Sequence, residues 1–565
     1  MSQILISKLQ KRFGEFSGDE QGAVAMLFSL SFIPMIMLGG VAIDYGRAVQ
    51  VRDGLRQAAD AVTLSLAKSA ASQTQAQLET FAARMIAATT TQHPASLVGP
   101  PTVSTDKAKV CIEAATNVDT TFMRIAGVTS VQVTVSSCAT NASANFEIAL
   151  VLDTSGSMNN SAGSGTKIAA VRTVSTSFVN TMFTNYPTPA GQTTPRVKFS
   201  VVPFAASVAV GSSDTNNRTA SWIDTNASSS WHWKSWTPSG AASGLAAGVT
   251  VTDRFGVYNW LKTSRASYDW AGCFETPPYP YNVQDFKPTS ASPDSLFVPM
   301  LAPDEPDTAG GGYSNNYLGD NPSASCKGSA PTTEAARQDR VCKYKSPNIT
   351  AASSSTNGPN RACNSAPLQR LTSTQSSITT KIGALTANGS TNLHEGFSWG
   401  WRTLSPGGTF SDGVAYSEAT AVIPTRKVLI LMTDGMNTWP AQSNSLNGSD
   451  YGAAGFYTSS TSGSSRFPTQ NSAGNTILPL TTSAGGTAAL DQLTREACAN
   501  ARAAGVAVYT VGFESTDAIS AQGKALLQEC AGNDPSRFFL ATNSASLNDA
   551  FVAIGKSLNS LYLSK

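Results

Sequence analysis

Charge is what this sequence has least of. Lys, Arg, Asp and Glu make up 13% of its 565 residues, against a usual share of about 25%. The 39 basic and 37 acidic side chains leave a formal net charge of +2, a balance that gives no reason to expect nucleic acid or an acidic substrate as partner. Histidine is rarer still, at His93, His232 and His394. No His-Glu-x-x-His or Walker A pattern occurs, so the local signatures of zinc proteases and P-loop nucleotidases are missing. Cysteine is present eight times, but without a Cys-x-x-Cys or a Cys/His cluster, which argues against zinc and against a thioredoxin-like redox site. The deficit in charge is made up by Ser, Thr, Ala, Gly and Asn, as in many exported bacterial surface proteins. An even number of dispersed cysteines on an exported chain points to disulfides. The local pairs are Cys111 with Cys138 and Cys498 with Cys530, with two bridges among Cys273, Cys326, Cys342 and Cys363.

The length predicts two or three domains. Residues 1–22 are short and polar and are read as a cytoplasmic amino terminus. Residues 23–43 carry no charge, a run of about 21 residues that is long enough to cross a bilayer as a helix, with a kink at Pro34 tolerated there. The rival is a cleaved signal peptide, whose apolar region would be about 7–15 residues long and followed by a small-residue cleavage site; the longer run, continuing into a helical pattern, favours a retained anchor. Basic residues flank both ends of the run and leave orientation open, but the cysteines all follow it, which places the carboxyl-terminal side in the oxidising compartment. From Asp44 the spacing of Leu55, Ala58, Ala59, Val62, Leu66 and Ala70 predicts an amphipathic helix continuing to about Thr91. Val110-Cys-Ile-Glu-Ala and Val131-Gln-Val-Thr-Val alternate like half-buried strands, giving a small sheet packed on that helix and stapled by Cys111–Cys138 over residues 44–145; a mere stalk is the alternative.

Beyond residue 146 strands alternate with helices, which predicts a mainly parallel α/β sheet covered on both faces. Phe146–Asp153 reads as a buried strand running into Thr-Ser155-Gly-Ser157, and Lys427–Thr433 as another that ends at Asp434-Gly435. The carboxyl ends of parallel strands share one edge, where ligands bind, so the two aspartates are expected to converge there. Between them Asn388-Gly-Ser390-Thr391-Asn392 opens a helix and supplies a further hydroxyl, with Ser390 and Thr386 as neighbours of the same chemistry. Carboxylates and hydroxyls at one point suit a hard divalent cation, although Asp, Ser and Thr are also ordinary turn and capping residues. The other elements expected are helices at 167–182, 368–385, 488–504, 521–530 and 547–561, and strands at 196–204, 506–513 and 538–541. Long inserts at about 211–367 and 440–484 interrupt the alternation. The first carries six tryptophans and four cysteines, expected either as the core of a small disulfide-rich unit or as binding anchors; the second leaves from the carboxyl edge and is either a cover for the site or an uncommitted loop.

Two resemblances follow. The triad Asp153-x-Ser155-x-Ser157, then Thr391, then Asp434, is similar to the metal-ion-dependent adhesion site of the von Willebrand factor A family. That likeness implies a doubly wound, Rossmann-type sheet and a bound Mg²⁺, with Ca²⁺ or Mn²⁺ as alternatives, whose open position takes an acidic side chain from a protein partner. The amino-terminal pattern Gln21-Gly22-Ala-Val-Ala, Asp44-Tyr45-Gly-Arg47 and Leu55-Arg-Gln-Ala-Ala-Asp60 resembles the TadE/TadG-like group of Flp-type pilus-assembly proteins, whose G-like members join such an anchor to an A domain. Gly18 and Glu20 lack the Gly-then-Glu-at-fifth spacing of pilins, so no processing is expected. The implied protein is a single-span module of the bacterial inner membrane, with its large domain in the periplasm or exported. It binds a pilus or envelope component and not nucleic acid. A metal-assisted hydrolase is the rival reading, with His394 and Glu395 as its candidate base, and a purely structural envelope protein is the third.

Overall fold

The computed structural model describes residues 20–70, 73–103, 109–140, 144–188, 193–211, 216–234, 251–307, 313, 315–320, 326, 331–350, 357–416, 424–456, 466–468, 470, 474–477, 480, 482–558 and 562–564. The expected cytoplasmic segment lies, up to residue 19, outside them, as does Trp236. The chain divides into two compact units, one of Met1–Ser143 with Asn559–Lys565 and one of Ala144–Leu558.

In the first unit, helix α1 (Glu20–Ser69) runs unbroken through Pro34. Among the described side chains from Leu27 to Ile43, the large apolar ones are exposed except for a half-buried Met37, with Leu30 and Leu38 at 75% and 72%. After Ala48 one face is buried: Leu55, Ala59, Val62, Leu66 and Ala70 pack with Val110, Ile112, Val118, Val133 and Val135. Among the described residues α1 is the one helix long and apolar enough to cross a membrane. The helix expected to reach Thr91 stops instead near Ser69, and α2 (Gln75–Thr89) begins with a capping box in which Thr74 and Gln77 satisfy each other's backbone N–H groups. Thr74-x-x-Gln77 is a start signal that the continuous apolar spacing masks. Strands β1 (Ser96–Leu97), β2 (Thr102–Val103), β3 (Lys109–Asp119) and β4 (Ser130–Thr140) form an antiparallel sheet on α1 and α2. Cys111 and Cys138 face each other in the β3–β4 register and are bonded. The strand Tyr562–Ser564 pairs antiparallel with β4. The alternation predicts a large domain running to residue 565; these few residues instead belong to the first sheet, because their partners are the backbone groups of Cys138–Thr140.

The second unit is a six-stranded sheet. Strands β5 (Asn145–Asp153) and β6 (Val197–Phe204) pair in parallel, and β5, β8 (Thr425–Thr433), β9 (Ala507–Phe513) and β10 (Phe538–Ala541) continue the parallel run; only β7 (Gln369–Thr372) is antiparallel, at the β6 edge. The helix expected over 368–385 is therefore a short edge strand followed by α4 (Gln375–Gly383), its first residues captured by backbone pairing with β6 rather than by helical periodicity. Alternate strand residues face opposite sides. Ile148, Leu150, Val428 and Ile430 pack under α3 (Lys167–Asn185), α4 and α8 (Ser544–Leu558). Val151, Leu429 and Leu431 pack under α5 (Leu393–Leu404), α6 (Ser483–Ala503) and α7 (Ala521–Cys530), with Cys498–Cys530 bonding α6 to α7. The central cysteines pair as Cys273–Cys363 and Cys326–Cys342.

The tryptophan-rich insert is neither a separate unit nor a surface of aromatic anchors. Trp222, Trp231 and Trp270 are buried, and Trp222 and Trp270 join the same core as α5, with Trp222 edge-on to Trp399 at 6.4 Å. The described part of the second insert joins it too, through Trp439, Phe467 and Leu480. Glycine makes the close approach of α5 to the sheet: a Cβ on Gly400 would sit 2.3 Å from Val151 Cγ2, and one on Gly396 2.5 Å from the Phe204 ring. Gly400→Ala is expected to destabilise the second unit by about 1–3 kcal/mol through overpacking, read as a lowered urea midpoint for the tryptophan fluorescence transition.

Candidate functional site

The carboxyl ends of β5 and β8 deliver Asp153 and Thr433-Asp434 to one edge of the sheet. Past β5 the chain enters a short 3₁₀ turn, Gly156–Asn159, with Ser155 extended just before it. Backbone bonds lash the facing loop to this turn: Asn388 N donates to Thr154 O and Gly156 N to Gly389 O, each at 2.8 Å. Gly389 has φ +90°, and a Cβ there would lie 2.7 Å from Asn364 Nδ2, so this crossing admits no side chain. The third loop closes the set, Thr438 N donating to Thr391 O at 2.8 Å and Thr391 N to Thr438 Oγ1 at 2.9 Å.

Asp153, Ser155, Thr391 and Asp434 are all at most 5% exposed. Ser155 N donates to Asp153 Oδ1 (2.7 Å) and Thr433 Oγ1 to Asp153 Oδ2 (2.6 Å). The Ser155 and Ser157 hydroxyls are 3.1 Å apart, and Ser157 Oγ donates to Asp434 Oδ1 at 2.7 Å. The chain thus draws Asp153, Ser155, Ser157 and Asp434 into one hydrogen-bonded cluster, and Thr391 enters from the facing loop on backbone bonds. Burial pushes the Asp153 carboxyl up to about 7, and the Asp434 carboxylate adds to the rise, because two like charges share one desolvated pocket.

Two contributors escape a reading by motif. One is Thr433, which orients Asp153. The other is Lys167, fully buried, whose Nζ donates to Asp434 Oδ2 at 2.9 Å and lies 3.6 Å from the exposed Asp517. A cation in the first turn of a helix opposes the helix dipole, and that misplacement is the one signal in the sequence that Lys167 serves a carboxylate elsewhere.

His394 and Glu395 take no part in this cluster. His394 Nε2 meets Asn282 O at 2.8 Å inside the core, and burial pushes its imidazole down to about 3. Glu395 is equally buried, accepting from Thr276 Oγ1 and, at 2.9 Å, from Trp399 Nε1. Both side chains are committed to holding α5 against the first insert. A cavity of about 120 Å³ lies beside the facing loop, lined by Asn388, Ser390 and Asn392 on one side and Arg361, Asp450 and Tyr451 on the other.

The donor set fits a small divalent ion. Adjacent ligands of an octahedral ion with bonds of about 2.0–2.1 Å lie about 2.9 Å apart, and the Ser155–Ser157 and Ser157–Asp434 separations of 3.1 and 2.7 Å fall on either side of that value. Among the described residues no three His, Cys, Asp or Glu side chains group closely enough to hold a metal by themselves, so a cation here must draw on the hydroxyls.

Comparison with known proteins finds distant likenesses. The chain is similar to the pilus adhesin SpaC from Lactobacillus rhamnosus GG, at 12% identity and a TM-score of 0.31, over 83% of this chain and 35% of that one, so it spans about a third of SpaC's length. A mutant of the PilB minor pilin from Streptococcus sanguinis shares 12% identity, with coverages of 83% and 78% and a TM-score of 0.31. The tip pilin GBS104 from Group B Streptococcus agalactiae shares 11%, with coverages of 83% and 69% and a TM-score of 0.28. No curated protein matches. The amino-terminal segment, residues 22–72, matches the Tad family model, described as "Putative Flp pilus-assembly TadE/G-like".

Proposed function

We propose that this protein is a membrane-anchored binding module whose second unit is a von Willebrand A-type domain. Its metal-ion-dependent adhesion site is Asp153, Ser155, Ser157, Thr391 and Asp434, and it acts in Flp-type pilus assembly or surface attachment. The observation that carries the reading is the hydroxyl-and-carboxylate cluster at the carboxyl edge of β5 and β8, with Ser157 bridging to Asp434 across 277 positions of sequence. The match of residues 22–72 to the Tad model supports the pilus context. Four disulfides favour an oxidising compartment for the large unit, hence a single-span inner-membrane protein facing the periplasm or beyond.

The ligand set gives the chemistry. Bound Mg²⁺, Mn²⁺ or Ca²⁺ supplies a positive centre that two carboxylates do not over-neutralise, leaving a position for an Asp or Glu of a protein partner. Asp153 supplies charge from beneath and is held by Ser155 N and Thr433. Ser155 and Ser157 present neutral oxygens, Asp434 is held by Ser157 and Lys167, and Thr391 offers a hydroxyl from the facing loop. A non-catalytic module is the better reading, since the hydrolase alternative leaned on His394 and Glu395.

The test uses the full chain in detergent, titrated with Mg²⁺ or Mn²⁺ by calorimetry and then with peptides differing only in one Glu or Gln. Saturable cation binding, followed by capture of the Glu peptide that EDTA abolishes, is expected; equal capture of both peptides sinks the proposal. Lys167→Met supplies a second check. Removing a competing charge from Asp434 should tighten cation binding ~10-fold, while the uncompensated buried carboxylate lowers metal-free stability by about 3–5 kcal/mol.

A further inference from the structure

The turn joining β3 to β4 is built against the helix just where its uncharged run ends. The Asp44 carboxylate accepts from the backbone N–H groups of Thr121 (3.0 Å), Phe122 (2.8 Å) and Met123 (2.8 Å). Arg47 donates to Thr121 Oγ1 at 3.1 Å. One turn earlier on the helix the Phe122 ring lies on the backbone of Gly40, where an added Cβ would meet it at 2.5 Å. The turn itself is fixed by Gly127 at φ +85° and by Val128 N donating to Met123 O at 3.1 Å. Its tip is apolar and open: Ile125 is 74% exposed and Val128 39%, with exposed Arg124 beside them.

We infer that this turn, Phe122–Val128, is a second membrane contact, dipping Ile125 and Val128 into the phospholipid surface beside the anchor helix. The inference rests on reading residues 23–43 as the span. Gly40 precedes Asp44 by four residues, about 6 Å along the helix axis. Phe122 therefore sits about that far below the level at which charge begins. Apolar groups of interfacial segments bury to about 5–10 Å at the headgroup boundary, so the depth fits a lipid surface and not the bilayer centre. The Asp44 carboxylate, which a wet-to-dry boundary would otherwise penalise, has three N–H partners. Arg47 and Arg124 lie at the level of the phosphates, where a guanidinium is favoured. Gly40, on which the Phe122 ring lies, falls within the helix stretch that carries the exposed apolar side chains Leu38, Val41 and Ile43, so the turn joins the helix at its lipid-facing level.

The eight cysteines form four bridges, so an added cysteine is a unique labelling site. Ile125→Cys, Val98→Cys (native Val98 54% exposed) and Leu38→Cys are each labelled with bimane in the full chain. The proteins are reconstituted in vesicles of phosphatidylethanolamine and phosphatidylglycerol. At position 125 the emission should shift to the blue and be quenched by nitroxide-bearing lipid but not by aqueous iodide, while position 98 shows the reverse. Iodide quenching at 125 equal to that at 98, with position 38 quenched by lipid, overturns the second contact and leaves the anchor intact. Iodide quenching at 38 overturns both. Protection of 125 from both quenchers would mean that protein covers the tip, and that also defeats the inference.

Discussion

Asp153→Asn should abolish saturable Mg²⁺ or Mn²⁺ binding while leaving the second unit folded. The two side chains have the same shape. The amide oxygen can still accept from Ser155 N, and the Thr433 hydroxyl, donor or acceptor, can turn to meet the amide. What disappears is one charge. Two unit charges about 4 Å apart interact by about 4 kcal/mol at an effective dielectric of ~20, and a divalent ion doubles that. Even with most of it offset by lost hydration, affinity falls ~100-fold or more. The sign reverses without metal. Asp153 and Asp434 repel in a desolvated pocket, so the variant should melt above wild type when EDTA is present. Wild type should regain the lead in Mg²⁺, since a ligand at about 100 times its dissociation constant adds ~2.7 kcal/mol. Thermal scans with and without the ion show this crossing directly. Curves that keep the same order in both conditions would remove Asp153 from the site.

Glu275→Gln should be the most destabilising conservative change in the large unit. Glu275 accepts from Arg254 (2.7 Å), Arg466 (3.1 Å) and the Tyr451 hydroxyl (2.5 Å). All four side chains are buried. Arg254 is in the first insert and Tyr451 and Arg466 in the second, so one carboxylate joins two segments that the sequence separates widely. Arg466 also stacks over the Trp231 ring, 4.4 Å from its centre. Neutralising Glu275 strands two guanidinium groups in the core, and breaking a buried pair in this way costs about 3–5 kcal/mol. Urea unfolding followed by tryptophan fluorescence should show the loss. Adding Arg466→Met to Glu275→Gln should restore part of it, because one of the two uncompensated charges is then gone. A double variant no more stable than Glu275→Gln would mean that Arg466 is not paired through this carboxylate.

These two sites differ in how far the sequence discloses them. Asp153, Ser155 and Ser157 are contiguous, and their alternation after a buried strand is visible in one window. Asp434 is visible for the same reason, and the parallel sheet brings both ends to one edge. Lys167 is silent, since a lysine opening a helix looks like any solvated charge until the fold closes over it. The Glu275 network is harder still, because Arg254, Glu275, Tyr451 and Arg466 share no periodicity and meet only through tertiary packing. The tryptophans of the first insert mislead for a related reason: clustering in sequence implies a local core, whereas Trp222 packs across to Trp399. Gln369–Thr372 carries too little apolar pattern to announce an edge strand, and the strand at Tyr562 finds its partner in β4, far back in the sequence but in the same unit.

That last pairing sets an order of assembly. Between Thr140 on β4 and Tyr562 the ribosome must add more than four hundred residues, which at about 5–20 residues per second takes roughly 20 to 80 seconds. For that interval the outer edge of β4 stands unpaired in the first unit's sheet while the whole of the larger unit is made and folded. The unit begun first is completed last. A chain whose large unit stalls or misfolds therefore leaves a strand edge open to pairing by other chains, so the closing strand marks a molecule whose synthesis has passed through the large unit.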